Sequence, residues 1–441
     1  MALASTFLGG AKGRLLAPSI PFRFFATAVL FQGFAWLALF WAAPSVTRFA
    51  GGLGWPLASL HMITLGVLVM AAIGASLQLL PVATRQGVAA ARWPYDLVWG
   101  LYTAGVVALT IGMGTATPPV LMVGAMAVAT ALLIYLFMLA RNLRGAKGMR
   151  LVIVHGWAAC WSLVILITTG LSLAGAYSGL QLFERQSAVG LHITFASYGF
   201  MGMLVMGFSY ILVPMFAVAD NPAPRWANFS VALAIVALAM ALLVLFRVIP
   251  LHFLRWCIGA GALAYAIHVA LMMQALRTGM RQGLGKSFLL VRLGWACLGA
   301  SLLAALALEF QMVTVHGPIV FGVLLVGGLL TLLLGVLSRI VPFLASMHAG
   351  TGVRRPPTPS NLTAQRPLDI HFYSHVAALV MLLAAVLLDS VWLIRASAGL
   401  GVTGAAAFGV FFVTAWTRMT RIVPKAEASV GSKVQDSREI K

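Results

Sequence analysis

The sequence predicts an all-α membrane protein of twelve transmembrane helices, built as three pseudo-threefold four-helix repeats with both termini cytoplasmic. Three observations carry that expectation. Over 441 residues the mean hydropathy is +1.00 and only 9% of residues are charged, where soluble domains carry about a quarter. Apolar runs recur at the length that crosses a bilayer, ~20 residues. A glycine–proline pattern then repeats in every fourth run.

The runs lie near 22–44, 57–81, 96–113, 118–140, 151–176, 187–214, 229–249, 253–275, 289–309, 313–342, 370–391 and 397–417. They make residues 22–420 one transmembrane domain, with repeats at about 22–140, 151–275 and 289–417. Residues 1–21 read as a cytoplasmic segment: Lys12 and Arg14 precede the first run, and no small-residue cleavage site follows a short apolar core. Residues 421–441 read as a flexible cytoplasmic tail, and 343–369, with "GTGVRRPPTPSNLTAQRP", as a flexible loop.

A net charge of +20 could point to nucleic acid, but its placement points to topology. With cytoplasmic termini, Arg48, Arg185, Arg247, Arg255 and Arg395 are the only Lys or Arg on the outer side, out of 29. That is the positive-inside distribution of an inner-membrane protein. Cys160, Cys257 and Cys297 all fall inside apolar runs without paired spacing, and read as small buried hydrophobes.

The repeat shows in the even spans. Gly66, Gly74 and Pro81 in span 2, Gly199, Gly207 and Pro214 in span 6, and Gly327, Gly335 and Pro342 in span 10 all follow G-x7-G-x6-P. The preceding odd spans align through "QGFAW" at 32–36, "HGWAA" at 155–159 and "LGWAC" at 293–297. Small residues let apolar helices approach closely, and proline is expected to end each even span at the cytoplasmic face.

Of nine histidines, His61, His192 and His316 are expected about five residues past the outer starts of spans 2, 6 and 10. Ionisable side chains at that depth are costly and bind or line something, and neutral imidazole is a good ligand for heme iron and copper. Counted back from the first aligned glycine, His192 and His316 share a helix face and His61 points elsewhere. An axial pair of His61 with His316, or of His61 with His192, therefore suits a porphyrin better than His192 with His316. Towards the cytoplasm, His155, His268, His371 and His375 form a second set. His371 and His375 are four apart on one helix face, a spacing for joint metal ligation or for an interfacial helix end. Met201, Met203, Met206 and Met215 crowd span 6, where packing is the commoner use.

This arrangement resembles the catalytic subunit I of the heme–copper oxidase superfamily and its diverged relatives, the NnrS-type membrane heme proteins. The resemblance covers residues 20–420 in architecture. It implies a heme b whose axial ligands are His61 and His316, with His192 in the place of a copper or second-heme ligand. It also implies electron transfer or diatomic gas chemistry on NO or O2, with a quinol or cytochrome as redox donor. The chain departs from the oxidase pattern in several places. Span 7 has no histidine pair, span 10 has His316 alone, Tyr198 lies six residues past His192, and no Lys lies inside a span. Glu184, Glu309, Asp389, Asp96 and Asp369 all lie at span edges, so a proton-pumping oxidase is not expected. "SLHMIT" likewise differs from the "HAHE" of NnrS-type chains. The alternative is a cofactor-free transporter, or an assembly or scaffold partner of a respiratory complex.

Overall fold

The computed structural model describes residues 14–87, 91–312, 315–350 and 357–436, with side chains up to residue 422. Among them are twelve helices long and apolar enough to cross a membrane. These are Ser19–Val46, Trp55–Thr84, Trp93–Gly114, Pro118–Arg144, Arg150–Ser178, Arg185–Ala217, Pro224–Leu245, Leu251–Thr278, Gly285–Glu309, Gly317–Ala349, Gln365–Leu387 and Val391–Ile422, spans 1 to 12. The last helix runs on to Asp436, so most of the polar tail continues span 12.

Consecutive spans pack on one another, and span 12 also packs along span 1, closing a ring. Spans 2, 6 and 10 form its inside. They are 89%, 78% and 56% buried in their most apolar windows, against 28–50% for the other nine, whose outward faces are left for lipid. Where the inner spans meet, Ala72, Leu204, Phe208, Leu332 and Val336 line an apolar cavity of about 70 Å³, and Trp295 of span 9 completes its wall.

Glycines set how closely the helices approach. A methyl group on Gly74 would meet Phe24 Cβ at 2.7 Å, one on Gly207 would meet His155 Cβ at 2.8 Å, and one on Gly335 would meet Ser287 O at 2.6 Å. The second glycine of each aligned pair thus lies where an even span crosses the odd span before it. The chain also repeats a main-chain clasp. Lys147 and Met149 N–H donate to Thr84 and Ala83 O at 3.0 and 3.2 Å, and Met280 and Arg281 N–H donate to Val218 and Ala217 O at 3.2 and 3.0 Å. In both cases the segment entering the next odd spans is tied to the end of an inner helix.

Two expectations are corrected. The aligned prolines lie within their helices instead of ending them. Spans 2 and 6 close three residues later, on left-handed Arg85 and Val218, and span 10 continues to Ala349. The proline carbonyl serves as the cap instead, accepting from Gln86 N–H on Pro81 and from Ala219 N–H on Pro214, both at 2.9 Å. Span 10 also begins later than expected, at Gly317 with Pro318 in its first turn. Proline is well suited there, since it has no N–H to leave unpaired. His316 consequently precedes the helix by one residue.

Spans 2 and 6 share a further feature: Met62–Val69 and Phe195–Met201 are π-helical. The wider turn advances each residue by a smaller angle than an α-turn, which re-aims the side chains above it.

A valine at Gly112, whose added Cβ would collide with the Leu121 main chain, should cost about 1–3 kcal/mol and lower the detergent melting midpoint. Alanine at Gly100, which faces open space, should leave the midpoint unchanged or slightly higher.

Candidate functional site: paired imidazoles within the bundle

His61 is the last residue of the first α-helical segment of span 2, and His192 lies in the first segment of span 6, Arg185–Thr194. Each sits just before its π-helical stretch. The centres of the two rings are 6.3 Å apart, with planes tilted by 27°. Both side chains are half-buried.

Their hydrogen bonds set which nitrogen is free. His61 Nδ1 is 3.0 Å from Leu57 O. A carbonyl only accepts, so Nδ1 carries the proton and Nε2 keeps its lone pair. His192 Nδ1 lies 3.5 Å from Thr169 Oγ1, whose own proton is given to Ile165 O at 2.7 Å. The hydroxyl can then only accept from Nδ1; at this length the contact is weak, but it favours the same tautomer as in His61. Gly170 makes room beneath this ring: a Cβ there would lie 3.3 Å from His192 Cε1.

The separation of the ring centres is close to that of two imidazoles sharing one metal atom. A metal–imidazole bond is about 2 Å. Two of them, with roughly 1 Å from each nitrogen to its ring centre, span about 6 Å. The two Nε2 atoms, their fixed tautomers and the half-buried position together suit an axial pair for heme iron, placed towards the basic-poor end of the bundle.

His316, at the N-cap position of span 10, lies on a different element from this pair, and its buried Nδ1 has no hydrogen-bond partner among the described residues. The start of span 6 is held by Glu184, whose carboxylate accepts from Gln186 N–H at 3.0 Å and from Ser187 N–H at 2.9 Å. These bonds, from Ser187 first and then Gln186, hold the Glu184 carboxyl below its ordinary value.

The second histidine set divides into two clusters. His155, Tyr210 and His268, from spans 5, 6 and 8, form a column with centroids 5.6 and 5.1 Å apart. The sequence reading missed Tyr210, which lies between the two imidazoles. His371 and His375 on span 11 stand 5.5 Å apart with planes 22° from parallel, and they are 0% and 1% exposed. Other candidates have structural roles. Arg339 donates to Ser287 Oγ at 2.7 Å and to Leu284 O at the start of span 9. Tyr198 bonds Ser301 at 3.1 Å. Met203, Met206 and Met215 are packed in the core, and Met201 lines the central cavity. All three cysteines are free. The structure also shows what sequence spacing alone did not: Thr169 and Thr331 as imidazole partners.

Compared with protein-family models and with curated proteins, the sequence gives no match.

Because the Glu184 carboxyl is held low when folded, its contribution is present at neutral pH and lost as the pH falls below the ordinary value of 4.5 and through the lowered one. Melting curves across that window should show wild type losing stability relative to Glu184→Gln, whose midpoint starts lower and changes less.

Proposed function

We propose that this chain is a multi-pass heme protein of a bacterial inner membrane, with the subunit I-like threefold architecture and cytoplasmic termini. One heme b is held between spans 2 and 6, and its work is electron transfer. The observation that carries the reading is the His61–His192 pair: two imidazoles whose ring centres lie 6.3 Å apart, each with its Nδ1 set against a protein oxygen. Such outer hydrogen bonds orient metal-ligating imidazoles and raise their basicity. The inner column of spans 2, 6 and 10 supports the threefold arrangement, as does the repeated main-chain clasp.

A pairing with His316 is less well supported, because His316 stands outside its helix while the rings of His61 and His192 are already 6.3 Å apart. When bound, the heme supplies one-electron chemistry, and a site with two protein ligands leaves no position for gas. The chain's own contribution is to hold both imidazoles in one tautomer, at fixed spacing, within an apolar shell. A quinol or cytochrome is the fitting donor class. Gas chemistry with NO or O2 is the second reading, and one contact favours it: His192 is held by a 3.5 Å contact, longer than the 3.0 Å bond of His61, so it is the ligand better placed to yield.

Reduced-minus-oxidised spectra of the purified protein should show a b-type α-band. His61→Ala and His192→Ala should each abolish that six-coordinate signature, and His316→Ala should keep it. A colourless, iron-free protein would overturn the reading in favour of a cofactor-free transporter or scaffold. Loss in His316→Ala with retention in His192→Ala would move the site to spans 2 and 10. Thr169→Val should raise the fraction of reduced protein that binds carbon monoxide, a change that pure electron transfer does not require.

A further inference from the structure

Span 11 carries a second pair of imidazoles, far better buried than the first. His371 Nδ1 lies 2.9 Å from Gly404 O on span 12. The carbonyl can only accept, so the proton is on Nδ1 and the lone pair on Nε2. His375 Nε2 lies 2.9 Å from Thr331 Oγ1 on span 10. The Thr331 hydroxyl gives its one proton to Gly327 O at 2.6 Å, so His375 donates through Nε2 and keeps its lone pair on Nδ1. Both lone-pair nitrogens, His371 Nε2 and His375 Nδ1, are buried and have no hydrogen-bond partner among the described residues.

Two neighbouring helices thus lock two neutral imidazoles into complementary tautomers, and each keeps an unused donor nitrogen in an apolar shell. An unmet polar atom in such a place is costly. A Lewis acid shared by the pair relieves both atoms at once, and the hydrogen bonds to Gly404 and Thr331 are the outer bonds that metal-ligating histidines make. The 5.5 Å centroid separation is below the roughly 6 Å of a straight N–metal–N line.

The shell decides which ion. No group of three or more His, Cys, Asp or Glu that could hold a metal occurs among the described residues. The nearby Asp369 is engaged by Lys286 at 2.8 Å. Zinc usually takes four ligands, and a divalent charge with no anionic ligand is expensive to bury. A monovalent ion that accepts two nitrogens needs no further ligand and carries half that charge. We infer that His371 and His375 form a buried copper(I) site, separate from the His61–His192 pair.

The test titrates full-length protein anaerobically with copper(I) against a chromophoric copper(I) chelator, and records X-ray absorption of the copper-loaded form. The wild type should hold one equivalent with two imidazole nitrogens on copper. His371→Ala/His375→Ala should lose it. Thr331→Val, which frees the His375 tautomer and nearly preserves side-chain volume, should bind 10–100-fold more weakly. His61→Ala and His192→Ala should keep the equivalent, so failure of the heme reading leaves this result standing. The inference is overturned by no binding above the level of the double variant, by an unchanged equivalent in that variant, by equal affinity for zinc, or by an unaltered affinity in Thr331→Val.

Discussion

An imidazole inside hydrocarbon has two nitrogens to account for, and around His61, His192, His371 and His375 the helices account for only one. That constraint organises the functional part of this protein. A backbone carbonyl, or a threonine hydroxyl that has already given its proton away, takes one N–H and leaves the opposite lone pair unmet. Leu57 O does this for His61, Thr169 for His192, Gly404 O for His371 and Thr331 for His375. Water would erase the consequence. In an apolar shell the remaining lone pair becomes a ligand in waiting, and pairing two of them gives a place for a Lewis acid.

The scaffold makes such pairs possible by bringing helix interiors close. Glycines where inner spans cross their odd neighbours let backbones touch, and the main-chain clasps at the ends of spans 2 and 6 tie those two helices to the segments entering spans 5 and 9. The outer spans turn apolar faces to lipid. Exposed Trp41, Trp93, Trp161, Trp256 and Trp392 belong to that outer surface.

Much of this was legible in the chain. The twelve spans follow from run length and charge placement, because lipid demands long uncharged helices and hydropathy is a local property. The glycine spacing predicted the close crossings. His61, His192 and His316 stood out because ionisable residues are rare at such depth, and His371 and His375 because they lie four apart on one helix face. "HGP" after an interrupted run was a readable helix start, and read that way it would have placed His316 outside span 10.

The sequence by itself determined the class of protein, the number of membrane crossings and the short roll of imidazoles available for chemistry. The tertiary structure decided which of them meet. An α-helical projection at 100° per residue assigned faces to His61 and His192, but both spans pass through π-turns beneath those residues, and that change of pitch arises from packing between helices. The tautomers, too, were set by partners 23 to 44 residues away for His192, His371 and His375. Contacts at that separation belong to the folded bundle, and no window of sequence contains them.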